Sequence, residues 1–185
     1  MAVNWKPRLA NEKDIPALEK LIPLSVRMLQ ASYYTPAQIE AAIGPVFCVD
    51  RRLISDGTYF VVEESGKIIG CGGWSRRKKL FGSDRELNDD AQMLDPIHDS
   101  ARVRAFFIHP EWARRGIGRS ILKACEDAAV KAGFQKAELV ATLAGEPLYA
   151  SCGYVVAERY DAPMSGGLNL PVVRMTKHFG LVREP

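Results

Sequence analysis

Between residues 116 and 132 the apolar positions Ile121, Leu122, Cys125, Ala128, Ala129 and Ala132 recur with helical period, while Arg119, Lys123, Glu126, Asp127 and Lys131 take the other face. This predicts an amphipathic helix, stopped at Gly133 with Phe134 packing behind it. Upstream, Trp5 to Ala10 reads as a first strand, and Asp14 is placed to cap a helix running to about Leu29, its register complicated by Pro16 and Pro23. Thr35-Pro36 is an N-cap and first-turn pair opening a second helix that ends at Gly44-Pro45. Thr58 to Glu63 and Lys67 to Ser75 are β-rich and joined by a hairpin turn at Ser65-Gly66. Gly70, Gly72 and Gly73 in the second of them imply a bulge or a close backbone approach. Strands follow at Arg102 to His109 and Lys136 to Thr142, then a short helix from Gly145 to Ser151. Tyr154 to Tyr160 and Leu170 to Lys177 close as a hairpin across Ser165-Gly166-Gly167. The order β-α-α-β-β-β-α-β-α-β-β is that of a mixed α/β domain.

At 185 residues the chain reads as one domain spanning 1–185. The polar stretch from Arg77 to Ser100, acidic in its second half, is long for a connection and reads as a loop insertion: either a lid or a solvated loop. A net charge of +3 suits an anionic ligand without implying nucleic acid. The basic run Arg76-Arg77-Lys78-Lys79 lacks interleaved aromatic residues and reads as a solvated rim. Cys48, Cys71, Cys125 and Cys152 form no CxxC pair, so reduced thiols and no metal are expected. Neither a leader-like apolar core nor a membrane-length run is visible, and a cytoplasmic protein is the expectation.

The candidate chemistry lies at the junction of the third long strand and the amphipathic helix, in Arg114-Arg115-Gly116-Ile117-Gly118-Arg119-Ser120. Glycines let the backbone approach a ligand, and the first amides of a helix have no intrahelical partners, so this junction is an anion site reinforced by three arginines. A GxGxxG turn would need glycine where Ile121 stands, and a phosphate loop of the Gly-Lys-Ser or Gly-Lys-Thr type is absent. Taken with its context, Arg104-Ala105-Phe106-Phe107-Ile108-His109-Pro110-Glu111-Trp112-Ala113-Arg114-Arg115-Gly116-Ile117-Gly118 closely resembles motif A of the GCN5-related N-acetyltransferases. Pro147-Leu148-Tyr149-Ala150-Ser151-Cys152-Gly153-Tyr154 is similar to that family's second motif, with Gly-Tyr where Gly-Phe is more usual.

The resemblance implies acetyl-coenzyme A as co-substrate and a mostly antiparallel sheet flanked by helices. It implies that the main chain of Phe106, Phe107 and Ile108 pairs with the pantetheine arm like an added strand. Amides from Arg114 to Ser120, through Arg115, Gly116, Ile117, Gly118 and Arg119, would cradle the pyrophosphate, the arginines being available to the phosphates; for Arg119 a solvated surface role is equally open. Thr142 stands where many relatives have an asparagine touching the pantetheine, and Ala113 where the motif usually has glutamine or arginine.

The implied reaction is direct attack of an amine on a thioester. An alkyl ammonium with a pKa near 10.4 must first lose a proton, at a cost of about 4.6 kcal/mol at pH 7, and the departing thiolate must regain one. Tyr149 matches the family's general acid; the competing reading is a tyrosine packing the last helix on the sheet. The base is unassigned: Arg102 stands where relatives carry a strand glutamate, and Glu63, Asp99, His98 or a water chain are the candidates. His109, beside Pro110, reads as structural, and Tyr154 as core.

For the acceptor, a small-molecule or peptide amine, Tyr33, Tyr34, Trp74 and Arg104 are the candidate walls; helix-end packing explains the two tyrosines equally well. The alternative function is a non-catalytic acyl-coenzyme A binding regulatory domain, and a homodimer is left open.

Overall fold

The computed structural model describes residues 5–78 and 92–180. Seven strands form one sheet in the order β1-β2-β3-β4-β5-β7-β6. They are β1 (Arg8–Leu9), β2 (Tyr59–Glu64), β3 (Lys67–Ser75), β4 (Ala101–Ile108), β5 (Lys136–Thr142), β6 (Val155–Pro163) and β7 (Asn169–His178). Every neighbouring pair is antiparallel except β4 with β5. The helices are α1 (Ile15–Leu29), α2 (Pro36–Ala42), α3 (Arg51–Ser55), α4 (Ile117–Lys131) and α5 (Glu146–Ser151). The first three bury Leu18, Ile39 and Leu53 against one face of the sheet; α4 and α5 bury Ile121, Cys125 and Tyr149 against the other. No helix among the described residues is long and apolar enough to cross a membrane.

The helical pattern of residues 116–132 becomes α4, whose end is a Schellman motif. Phe134 N donates to Ala129 O and Gly133 N to Val130 O, with Gly133 left-handed at φ 94°. The hairpin turn adopts positive φ at both Ser65 and Gly66, as a two-residue turn matched to strand twist requires. Asp14 does not cap α1 with its side chain. Its carboxylate takes two hydrogen bonds from Arg8 and one from Asn11 N, and Asn11 caps a 3-10 turn over Glu12–Asp14 that leads into the helix. Five-residue α3, absent from the sequence reading, is too short to show a period and is held by Asp50, whose Oδ1 accepts from Leu53 N at 3.0 Å.

The glycines of β3 serve close approach. A Cβ on Gly70 would lie 2.6 Å from Ile117 Cγ2, and one on Gly72 would lie 2.6 Å from the Phe106 ring. Strands β4 and β5 pair only at Ala101↔Ala137 and Arg102↔Glu138, and beyond that point they part. Glu138 fastens the closed end, accepting from Arg102 of β4 and from Arg174 of β7. Arg102 is therefore an inter-strand fastener.

The insertion leaves and rejoins the sheet through a short ladder, Lys78 N to Gln92 O at 3.0 Å and Leu94 N to Arg76 O at 2.8 Å. Leu94 is buried on the α4 side, and Arg77 forms a two-point ion pair with Asp56. The rest of the insertion, 79–91, read as either a lid or a solvated loop, lies outside the described residues.

Candidate active site

The gap between the parting strands opens into a cavity of 570 Å³. Its lining draws on both cores, with Phe47, Phe107 and Leu170 from the α1 side and Val103, Ile117 and Tyr149 from the α4 side. The cavity thus passes through the sheet and has an arm on each face.

The arm on the α4 face ends at the glycine turn. After β4, His109 accepts from Glu111 N at 3.3 Å to start a 3-10 turn over Pro110–Trp112, which makes it structural. The chain then reverses through two left-handed residues, Arg114 at φ 63° and Gly116 at φ 86°. Ile117, Gly118 and Arg119 are the first three residues of α4, so their amides have no intrahelical acceptor, and each residue lines the cavity. Gly118 has little room to spare: a Cβ there would lie 2.9 Å from Leu148 Cδ2.

Ser120 does not extend this row. Its amide makes the first intrahelical bond, to Gly116 O at 3.0 Å, and its hydroxyl donates to Trp5 O at 2.8 Å. Arg115 also faces away, with its guanidinium over the Trp112 ring at 4.9 Å, and it lies outside the lining. Arg114 and Arg119 line the cavity, Arg119 donating to Ser151 Oγ at 3.1 Å.

Trp5, expected to begin the first strand, lies before β1 and orients this turn from outside. Its indole Nε1 donates to Arg115 O at 2.8 Å and its ring packs edge-on against Trp112, with centroids 5.7 Å apart. In a trans peptide the carbonyl and the following N–H point in opposite directions. Fixing the Arg115 carbonyl toward Trp5 therefore directs the Gly116 N–H toward the cavity, which Gly116 lines.

A second peptide is oriented in the same way at the middle of the gap. The β3–β4 register slips by one residue, leaving Ala105 and Phe106 opposite Gly72, and Ala105 takes φ 62°. Fully buried Tyr59 donates to Ala105 O at 3.2 Å, so the Phe106 N–H points away from Tyr59 and off the β3 ladder. Left-handed backbone at an alanine costs about 1 to 2 kcal/mol, so this bulge is held rather than relaxed. One residue pair on, Ile108 N donates to Ser25 Oγ at 3.2 Å.

Tyr149 of α5 sits beside the bulge, its ring 5.9 Å from that of Phe106 and 5.9 Å from that of Tyr154. Burial, and secondarily Cys125 and Cys152, push its phenol well above the usual range, so it remains protonated. Thr142 lines the cavity and its Oγ1 accepts from Gly145 N at 3.2 Å.

Of the candidate acceptor walls, Arg104 alone lines the cavity, its Nε 2.9 Å from Asp50 Oδ2 in an ion pair buried on both sides. Trp74 is buried on the α4 side against Phe134 because its position on β3 points that way. Tyr33 is exposed, and Tyr34 is buried with its hydroxyl engaged by main chain. The base candidates lie elsewhere: Glu63 accepts from Arg8, His98 pairs with Asp95 on the surface, and Asp99 accepts from Asp95 N. Ser25, Gln30, Cys48 and Asp50 line the cavity and carry no sequence motif.

A family model described as an acetyltransferase (GNAT) domain matches residues 55–156. A GCN5-related N-acetyltransferase from Rhodopseudomonas palustris superposes with a TM-score of 0.72 at 19% identity, covering 97% of this chain and 98% of its own. The PaiA N-acetyltransferase of Thermoplasma acidophilum, solved in complex with coenzyme A, has a TM-score of 0.65 at 16% identity over 96% of this chain and 100% of its own. YncA of Salmonella typhimurium, solved with its cofactor acetyl-CoA, has a TM-score of 0.63 at 16% identity, over 99% of this chain and 98% of its own. No curated protein matches the sequence.

Proposed function

Since the chain belongs to the GNAT acetyltransferases, we propose that it transfers an acetyl group from acetyl-coenzyme A to a primary amine of a small molecule or peptide by direct attack. The observation that carries this reading is the convergence on one cavity of a helix N-terminus, a strand bulge with an outward amide, and a buried phenol. Two of the structural neighbours were solved with coenzyme A or acetyl-CoA, which supports the same donor here.

The residues fit that donor. Amides of Gly116, Ile117, Gly118 and Arg119, at the positive end of the α4 dipole, suit a pyrophosphate, and the Arg114 and Arg119 side chains add charge at the same end. Phe106, Phe107 and Ile108 run along the open edge of β4, where peptide groups suit an amide-bearing arm. When bound, the donor supplies an activated thioester. The Phe106 N–H is the group available to stabilise charge on a carbonyl oxygen, a role usually worth about 3 to 4 kcal/mol per donor. The neutral Tyr149 hydroxyl returns a proton to the leaving sulfur, and its raised pKa keeps that proton in place at any working pH.

A free-thiol release assay with acetyl-coenzyme A and an amine panel tests the reading. Turnover is expected, falling at least tenfold in Tyr149→Phe with coenzyme affinity retained. Coenzyme binding without turnover on any amine would favour a regulatory binding domain, and turnover indifferent to Tyr149→Phe would remove the proposed acid.

A further inference from the structure

Strand β6 is one edge of the sheet, and among the described residues β7 alone pairs with it. Apart from Tyr160 and Ala162 every residue of it is exposed, including the apolar Val155 and Val156. A long exposed edge is a template for another strand. Which of its peptide groups face outward follows from one proline. In the β6–β7 ladder Asp161 stands opposite Pro171, which has no N–H to give, while Pro171 O accepts from the Tyr34 hydroxyl. Asp161 is therefore a non-hydrogen-bonded position of that ladder. So is Arg159, two residues back in an unbroken register. The N–H and C=O groups of both point away from β7, to the open edge.

The side chains sort by face. Arg159 stands opposite Val173 of the α4-side core, and Asp161 shares its face; Tyr160, opposite Val172, lies on the α1 side. Arg159 is held by two hydrogen bonds to Glu146 of α5 yet stays 57% exposed, so its place is set while its outer side remains open. Asp161 is exposed and makes no ion pair among the described residues. Two copies related by a two-fold axis normal to the sheet would pair these edges antiparallel, outward residue against outward residue. With the axis at Arg159, arginine faces arginine. With the axis at Asp161, carboxylate faces carboxylate. With the axis at Tyr160, Arg159 faces the second copy's Asp161 twice, and like charges are nowhere opposed. Opposite charges directly across a strand pair contribute about 0.2 to 1 kcal/mol each, and like charges cost about as much, so charge selects the register.

We infer that β6 pairs antiparallel with β6 of a second copy of this chain, with Tyr160 at the two-fold axis, joining the two sheets into one. The register shift between Val156 and Glu158 at one end and Pro163 at the other bound the ladder. The same register brings the exposed Val156 of one copy toward Met164 of the other. Ala162, Pro163 and Met164 line the catalytic cavity, so the second copy stands against the outer side of its wall. The inference is independent of the acetyl-transfer reading.

Sedimentation velocity on the full chain over a concentration series tests this, with circular dichroism confirming that each variant is folded. The parent is expected to dimerise reversibly. Asp161→Arg, which sets arginine against arginine at both pairs, should raise the dimer Kd about tenfold or more. Asp161→Pro removes an outward N–H that the β6–β7 ladder does not use, and should weaken the dimer without unfolding the edge. Cross-linking reads the register. In a non-hydrogen-bonded pair the Cα atoms are about 4.5 Å apart, within disulfide reach, so Tyr160→Cys should give a covalent dimer on mild oxidation. Glu158→Cys, whose copies lie far from each other across the axis, and the parent, with its four free thiols, should not. A parent that stays monomeric to about 1 mM, a dimer indifferent to both Asp161 variants, or cross-linking by Glu158→Cys in preference to Tyr160→Cys would overturn the inference.

Discussion

Replacing Trp5 with phenylalanine isolates the orientation of one peptide. The indole N–H is lost while an aromatic ring remains to pack on Trp112, and the Ser120 hydroxyl still has the main-chain carbonyl of residue 5 to bond. What disappears is the 2.8 Å hydrogen bond that holds the Arg115 carbonyl away from the cavity. A hydrogen bond of this kind is worth about 1 kcal/mol net, and released from it the 115–116 peptide can turn its carbonyl toward the position proposed for a phosphate. The expected result is a coenzyme A Kd raised about fivefold by calorimetry, with a melting temperature close to that of the parent. Pantetheine, which lacks the pyrophosphate, is the control and should bind both proteins equally. A coenzyme Kd within twofold of the parent would refute the reasoning. So would an equal loss for pantetheine, since that would mean general loosening of the turn.

Tyr59→Phe releases the Ala105 carbonyl and should lower kcat about five- to tenfold with little change in the acetyl-coenzyme A KM, because the Phe106 amide is proposed to act on developing charge; a raised KM at unchanged kcat would argue against that role. Because burial raises the Tyr149 phenol, kcat/KM should climb with pH as the amine deprotonates and show no falling limb below about pH 10. A falling limb below that pH, lost in Tyr149→Phe, would refute the raised phenol while keeping Tyr149 as the acid. The Asp56 carboxyl is held below the usual range first by its hydrogen bonds from Arg77, so its contribution to stability is complete above about pH 4 and is lost as the pH falls further. Asp56→Asn should therefore cost about 1 to 2 kcal/mol and about 3 to 6 °C in melting temperature at pH 7, and progressively less as the pH falls below about 4, as followed by thermal denaturation across that range.

Where a periodic face or a turn residue carried the signal, the sequence was readable. α4 and its Gly133 stop, the Ser65-Gly66 hairpin, and strands β3 and β5 stand at the expected residues. The close approach expected of the β3 glycines is real, since Gly70 and Gly72 clear the way for Ile117 and the Phe106 ring. The acceptor side was read poorly for a physical reason. Aromatic residues near a predicted site attract attention, yet whether Trp74 points into the gap or into the α4-side core depends on a strand register that one residue can invert. Ser25, Gln30 and Asp50 reach the cavity from a helix interior, a helix end and a five-residue helix cap, positions that look structural in any sequence.

The most consequential groups of the candidate site are peptide units, which leave little trace in residue identity. The Gly116 and Phe106 amides are aimed by holding the preceding carbonyls, and the holders, Trp5 and Tyr59, lie 110 and 46 residues away in the chain. Any donor at the right place would serve, so the arrangement constrains geometry far more than composition. The same logic accounts for a fold shared with neighbours at 16–19% identity. It also bears on the missing base. Among the described residues lining the cavity, the carboxylate present is Asp50, and it is committed to Arg104 and to the Leu53 amide. A buried ion pair of that kind resists protonation, because neutralising one partner strands the other charge out of water. Among the described lining residues this leaves water, met before entry or through an ordered chain, as the proton acceptor. An acceptor whose ammonium is only weakly basic gains most from that arrangement: at pH 7 an amine of pKa near 8 gives up about 1.4 kcal/mol to deprotonation, against about 4.6 kcal/mol for one near 10.4.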